Sequence, residues 1–132
     1  MGRVEDRRKA FQALFADSFG VRVDESELLS EFSRNLFCGV KKNRSIIDRL
    51  IKENIKNWKL ERISRVARCA MRLGVYEILY ANVPVAISVN EAVENAKIFG
   101  SEAEANYVQA VLSAVSISYK DFMEKNNLDL QD

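Results

Sequence analysis

The chain contains no histidine, one proline and only five glycines in 132 residues. Without histidine the usual general base and the commonest metal ligand are missing, and no glycine-rich phosphate loop stands in for them. Cys38 and Cys69 are the only cysteines. With no histidine beside them, neither a zinc constellation nor a Cys/His dyad can be assembled, so they read as buried structural thiols rather than a disulfide. No catalytic residue, cofactor or metal site is expected. So few turn formers leave little material for a turn-rich β protein. No apolar run approaches the roughly 20 residues of a membrane span, and the N-terminus is charged rather than signal-like. A cytoplasmic protein that does not engage a membrane is the expectation.

What is present is charge and helical periodicity. The net charge is +1. That value hides a segregation: from Lys41 to Arg72 there are 11 basic residues against three acids, leaving 9 basic and 16 acidic residues elsewhere, so +8 stands against −7. Such a field suits a polyanionic partner, although solvated helix faces neutralised by acids from elsewhere fit the same pattern. The length suits one compact domain, or two small subdomains sharing a core.

Ala10, Phe11, Leu14 and Phe15 share one face of a helix predicted from Val4 to Ser18, which Gly20 stops. Asp24 and Glu27 have capping-box spacing ahead of a helix carrying Leu29, Phe32, Leu36 and Val40. Asn43 is placed to cap a third helix with the stripe Ile46, Ile47, Leu50, Ile51 and Ile55. A long helix is predicted from about Leu60 to Tyr80. On it Ile63, Val66, Ala67, Ala70, Leu73, Gly74 and Ile78 share one arc, and Arg62, Arg65, Arg68 and Arg72 the opposite one. Asn82 to Pro84 interrupts the chain. The next helix begins at Pro84 or at the box Ser88/Glu91, and ends at Gly100, read as a left-handed C′ residue. Ser101 and Glu104 box the last helix, whose core stripe is Val108, Val111, Leu112, Val115, Tyr119 and Phe122. No segment alternates with period two over strand length, so the fold is predicted to be all-α.

Three stretches carry a resemblance: "RRKAFQALF", "WKLERISRVARCAMRLGVYEIL" and "VPVAISVNEAVENAKIFGSEAEANYVQAVLSAV". In order and spacing they resemble the NusB family of bacterial transcription antitermination factors, while residues 19 to 55 match only loosely and look shortened. The resemblance implies two three-helix subdomains packed across each other, here 1–57 and 58–132, without enzymatic activity. It further implies binding of boxA RNA, best as a heterodimer with ribosomal protein S10 (NusE). The pair joins other Nus factors and RNA polymerase so that transcription of ribosomal RNA operons passes premature terminators. Some members self-associate, so a homodimer is among the implied states.

By the same resemblance the arginine-rich start of the first helix, Arg3, Arg7, Arg8 and Lys9, touches RNA. The free N–H groups and dipole of a helix start favour anions in the same sense. Val4, Glu5 and Asp6 interrupt the family's basic run there. Tyr107 lies about 40° outside the core stripe and matches a family aromatic that contacts RNA; a ring at a rim can stack on an unpaired base. Phe15 matches another family aromatic and fits a core position equally well. Against the family's D-S-x-K-F-V-N-G-V-L-D this chain reads "AEANYVQAVLS". Ala103 thus replaces an acid, Asn106 a basic residue, Gln109 an Asn, Ala110 a Gly and Ser113 an Asp. Gln109 keeps an amide donor and acceptor and is retained as an RNA-site residue. Ala67 also replaces a common acid. Together these departures imply a shifted RNA preference or weaker binding. Glu61 and Arg62 match positions near the S10 contact. Arg72 is expected to pair with an acid such as Glu77, while Arg65 and Arg68 have no assigned role.

Two other functions fit the sequence. One is a helical protein-interaction or dimerisation domain with weakened RNA binding. The other is a stand-alone NusB-like module related to those that precede RNA cytosine methyltransferase domains.

Overall fold

The helix from Arg65 to Tyr80, here α4, is almost wholly interior: eleven of its sixteen residues are buried, including Arg72 and Glu77. The computed structural model describes residues 3–28, 30–56 and 59–128. Around α4 stand α1 (Arg3–Ser18), α2 (Glu31–Lys42), α3 (Arg44–Glu53), α5 (Val85–Phe99) and α6 (Glu102–Lys125), with no strand among the described residues. The all-α expectation holds. α4, α5 and α6 pack on one another, α1 and α2 pair, and α1, α2 and α3 each also lie against α4. Asn57 and Trp58, at the expected subdomain boundary, and Leu29, expected in the second helix, lie outside the described residues.

Local chemistry explains most helix ends, and it corrects several expectations. Asp24 caps only a short 3-10 turn, Glu25–Glu27, accepting from the Ser26 N–H; α2 begins later, where the Ser30 hydroxyl accepts from the Ser33 N–H. Asn43 does precede α3, but its side-chain amide donates to the Gly39 carbonyl at 2.8 Å, closing the end of α2 instead. The long middle helix is broken into a 3-10 turn, Leu60–Arg62, and α4, because Ser64 caps α4 through the Ala67 N–H. Pro84 starts α5, leaving Ser88 internal and buried. Gly100 has φ −129°, so it is not left-handed. A glycine is nonetheless required there, since a Cβ would stand 2.8 Å from the Ala96 carbonyl oxygen.

The core is one continuous apolar cluster running from Ala10 and Phe11 through Ile47, Leu50 and Ile51 to Leu112, Val115 and Met123. α5 and α6 approach α4 at Gly74, where a Cβ would meet Leu112 Cδ1 at 2.8 Å and Ala92 Cβ at 3.1 Å. The expected cationic face of α4 is not an outer face throughout. Arg72 is 7% exposed and makes two hydrogen bonds to Asp48 on α3, at 2.8 and 3.1 Å, rather than pairing with Glu77. The two cysteines are free; Cys69 is buried as expected, whereas Cys38 is only partly buried and donates to Glu25.

Candidate nucleic-acid interface

Glu77 belongs to Arg7. The sequence puts Arg7 at a phosphate, but the side chain turns into the protein, 4% exposed, and its Nε and Nη2 donate to the two carboxylate oxygens of Glu77 at 2.8 Å each. Burial works against the charge, yet the hydrogen bonds and charge of Glu77 more than offset it and hold the guanidinium above its ordinary value. Buried charges persist only when paired and hydrogen-bonded, and this pair meets that condition. Arg8 is braced on α5, donating to Glu91 at 3.0 Å and to Asn95 at 3.2 Å. Lys9 stays exposed beside Glu5, at 3.5 Å. Arg3 is exposed, 4.0 Å from Asp6, with its guanidinium over the Phe32 ring at 4.1 Å.

A second region lies at the other end of α4. The N-termini of α4 and α6 meet around a pocket of about 460 Å³ lined by Arg62, Ile63, Ser64, Ala67, Ala103, Glu104 and Tyr107. Its frame follows from the two caps. Ser64 accepts from the Ala67 N–H at 3.1 Å and Ser101 from the Glu104 N–H at 3.2 Å. The Glu104 carboxylate then accepts from the Ser101 hydroxyl at 2.9 Å and from the Ser64 hydroxyl on the opposite helix. One carboxylate thereby ties the two helix starts together. The Tyr107 ring forms a half-buried wall, while its hydroxyl is buried and meets no hydrogen-bond partner among the described residues. Burial pushes that phenol above its ordinary range, so it is neutral at physiological pH. A concave, largely apolar site of this size fits a planar base.

The expected site residues fall in different places. Arg7 and Tyr107 are far apart: from Glu77, which holds Arg7, to Ala67, which lines the pocket, α4 rises about 15 Å. Between these ends Phe11 stacks on Phe99 at 4.8 Å and on Phe15 at 6.0 Å, and Phe15 meets Phe19 edge-on at 5.0 Å. Phe15 is partly buried against the core within this row. Gln109 points elsewhere: two residues along a helix is a rotation of 200°, so it lies about 160° from Tyr107. It is exposed and donates to Ser113 at 3.2 Å. Arg62, expected at the protein partner, lines the same pocket as Tyr107, whereas Glu61 borders a separate open depression with Lys52, Ile55 and Lys59. Ala67 and Ala103, two of the chain's departures from the family pattern, both face the Tyr107 pocket. Ser64 and Glu104 are not among the expected site residues, although the capping box Ser101/Glu104 already places Glu104 at a helix start.

Part of the segregated positive charge is answered. Lys41 meets Asp17 at 3.0 Å, Arg72 and Arg44 share Asp48 at 2.8 and 3.5 Å, and Arg49 donates to Asn126 at 2.7 Å.

The model of the NusB family matches residues 4–116. The chain belongs to the NusB family. The transcription antitermination protein NusB of Bacillus thuringiensis (strain Al Hakam) is 39% identical over 126 residues, covering 87% of this chain and 97% of that protein. The NusB of Bacillus cereus (strain AH187) matches to the same extent. Among solved structures, NusB of T. maritima superposes with a TM-score of 0.81 at 32% identity, over 94% of this chain and 98% of its own. A chain from a crystal structure of a plectonemic RNA supercoil superposes with a TM-score of 0.68 at 20% identity, over 87% of this chain and 96% of its own, and shares the fold. The NusB relatives are named as antitermination proteins and not as enzymes. No helix among the described residues is long and apolar enough to cross a membrane.

Proposed function

We propose that this NusB-family chain is an RNA-binding transcription antitermination factor. It takes boxA-type RNA together with ribosomal protein S10 (NusE), joins other Nus factors on RNA polymerase, and supports processive transcription of ribosomal RNA operons in the cytoplasm without catalysing a reaction. The observation that carries this reading is the Tyr107 pocket, an aromatic-walled, largely apolar cavity with room for a base, framed by two helix N-termini. Its mechanism is positioning: a base stacks on the Tyr107 ring, cationic side chains neutralise neighbouring phosphates, and the adjoining turn with Glu61 and Arg62 meets the protein partner. Arg3 and Lys9 extend the exposed surface of α1, with Arg8 braced on Glu91 and Asn95 behind them and Phe15 between them and the pocket. The role of Arg7 is to hold α1 on α4, so its influence on RNA is indirect. Residues 1–57 and 58–132 serve as the two subdomains, the second built from the mutually packed α4, α5 and α6.

The apolar lining at Ala67 and Ala103 favours a second reading, a helical interaction or dimerisation domain with weakened RNA binding. A gel shift with boxA-type RNA, with and without S10 and over a salt series, separates the two. The antitermination reading predicts a complex strengthened by S10 and weakened by salt. No complex in the presence of S10 leaves the interaction-domain reading.

A further inference from the structure

Of the six arginines in the central basic segment, only Arg44 and Arg72 meet an acid among the described residues, and two of the others stand together on α4. Arg65 donates to the backbone carbonyl of Ser18 and lies over the face of Phe19, 4.1 Å from its centroid. Arg68 meets no carboxylate, and its Nε is buried without a hydrogen-bond partner among the described residues. Around them Arg72 and Arg44 already share the one carboxylate of Asp48. The other acid beside them, Asp17, lines a crevice with Arg44 and Arg72 and is already met by Lys41, so four guanidinium groups and a lysine stand against two acids. Burial, and then the charges of Arg72, Arg65 and Arg44, depress the Arg68 guanidinium below its ordinary value. Isolated, this arrangement is unfavourable, because like charges repel and a buried N–H lacks an acceptor.

None of the four arginines lines the Tyr107 pocket, but Arg68 stands about one helical turn from Ser64, which does. At 100° per residue Arg68 is about 40° from Ser64 and about 100° from Ala67 around α4, and both of those residues line the pocket. Phe19, which floors Arg65, is 58% exposed, so this side of α4 opens to solvent.

We propose that Arg65 and Arg68, backed by Arg44 and Arg72, form a phosphate-binding site that takes the RNA backbone beside the base held over Tyr107. This rests on the RNA reading for the source of the phosphate, though the anion site itself does not. Guanidinium forks match phosphate oxygens bidentately, and a phosphate here supplies the acceptor that Arg68 lacks.

The test is the salt dependence of affinity for a short single-stranded boxA-type RNA, measured for the wild type, Arg68→Gln, Arg68→Lys and, as a distant charge control on α6, Lys120→Gln. Removing one phosphate contact should lower the magnitude of the log–log salt slope by about 0.7 in Arg68→Gln. Arg68→Lys and Lys120→Gln should keep the wild-type slope. An unchanged slope in Arg68→Gln overturns the proposal. If the wild type binds no RNA, thermal unfolding in inorganic phosphate against chloride at matched ionic strength decides. A rise in Tm in the wild type that is absent in Arg68→Gln keeps the anion site while discarding RNA as its source; no rise in the wild type overturns the site.

Discussion

Two groups of arginines differ in what surrounds them. At the start of α1, Arg7 and Arg8 each reach a carboxylate, Glu77 and Glu91, so their charge is spent inside the protein. On α4, Arg65 and Arg68 reach only a carbonyl, a ring or nothing. The lesson is that the position of a basic residue on a helix start does not make its charge available to a ligand; the acids brought in from other elements decide that.

The largest effect that can break this comparison is on stability. Glu77→Ala strands Arg7 as a buried, uncompensated charge and should cost about 3–5 kcal/mol in denaturant unfolding. Arg68→Ala, which removes an orphaned group, should cost less than about 1 kcal/mol or stabilise. Equal losses in the two variants would erase the distinction. Next comes the pocket: Tyr107→Ala should weaken RNA binding by about 1–3 kcal/mol, the usual worth of one stacked base, in a direct titration. Tyr107→Phe keeps the ring and removes an unpaired buried hydroxyl, so affinity should hold and Tm should stay or rise.

A subtler probe is Cys69, next to the arginine cluster. Burial pushes its thiol up, and the nearby Arg72 and Arg68 charges and a Ser18 hydrogen bond only partly pull it back. A raised folded-state value means the neutral thiol stabilises the fold below the ordinary thiol range, with that contribution lost as pH rises through the folded value. Stability should therefore fall above about pH 8.5, and fall less in Cys69→Ala, as read by urea midpoints across pH. The smallest effect is at Gln109, exposed and turned away from the pocket: Gln109→Ala should change stability by less than about 0.5 kcal/mol and leave RNA affinity unchanged.

The helices were legible because their apolar stripes repeat at helical spacing and four of their boundaries carry a serine cap or a proline. Two starts lie later than expected: α2 follows Ser30 rather than Asp24, and α4 follows Ser64 rather than beginning at Leu60, because a 3-10 turn takes up the intervening residues in each case. Burial of charge was not legible. The stripe on α4 marks one apolar face, but five other helices close around it, and nothing local to Arg7 or Arg72 shows that Glu77 and Asp48 wait on other elements. Tyr107 was visible as an aromatic at the edge of a stripe, while the pocket it walls required the α4 and α6 starts to meet through Glu104. Gln109 was expected from the family Asn that it replaces, and on α6 it lies about 160° around the helix from Tyr107.

The central claim is that RNA engages the end of the molecule where α4 and α6 begin, rather than the buried arginine of α1. Backbone amide shifts of the isotope-labelled protein during titration with single-stranded boxA-type RNA test it most directly. The largest changes should fall at Ser64, Ala67, Arg68, Ala103 and Tyr107, with Gln109 and the exposed Ile117 unmoved. Changes concentrated at Gln109 and Ile117, with the pocket amides silent, would contradict the account.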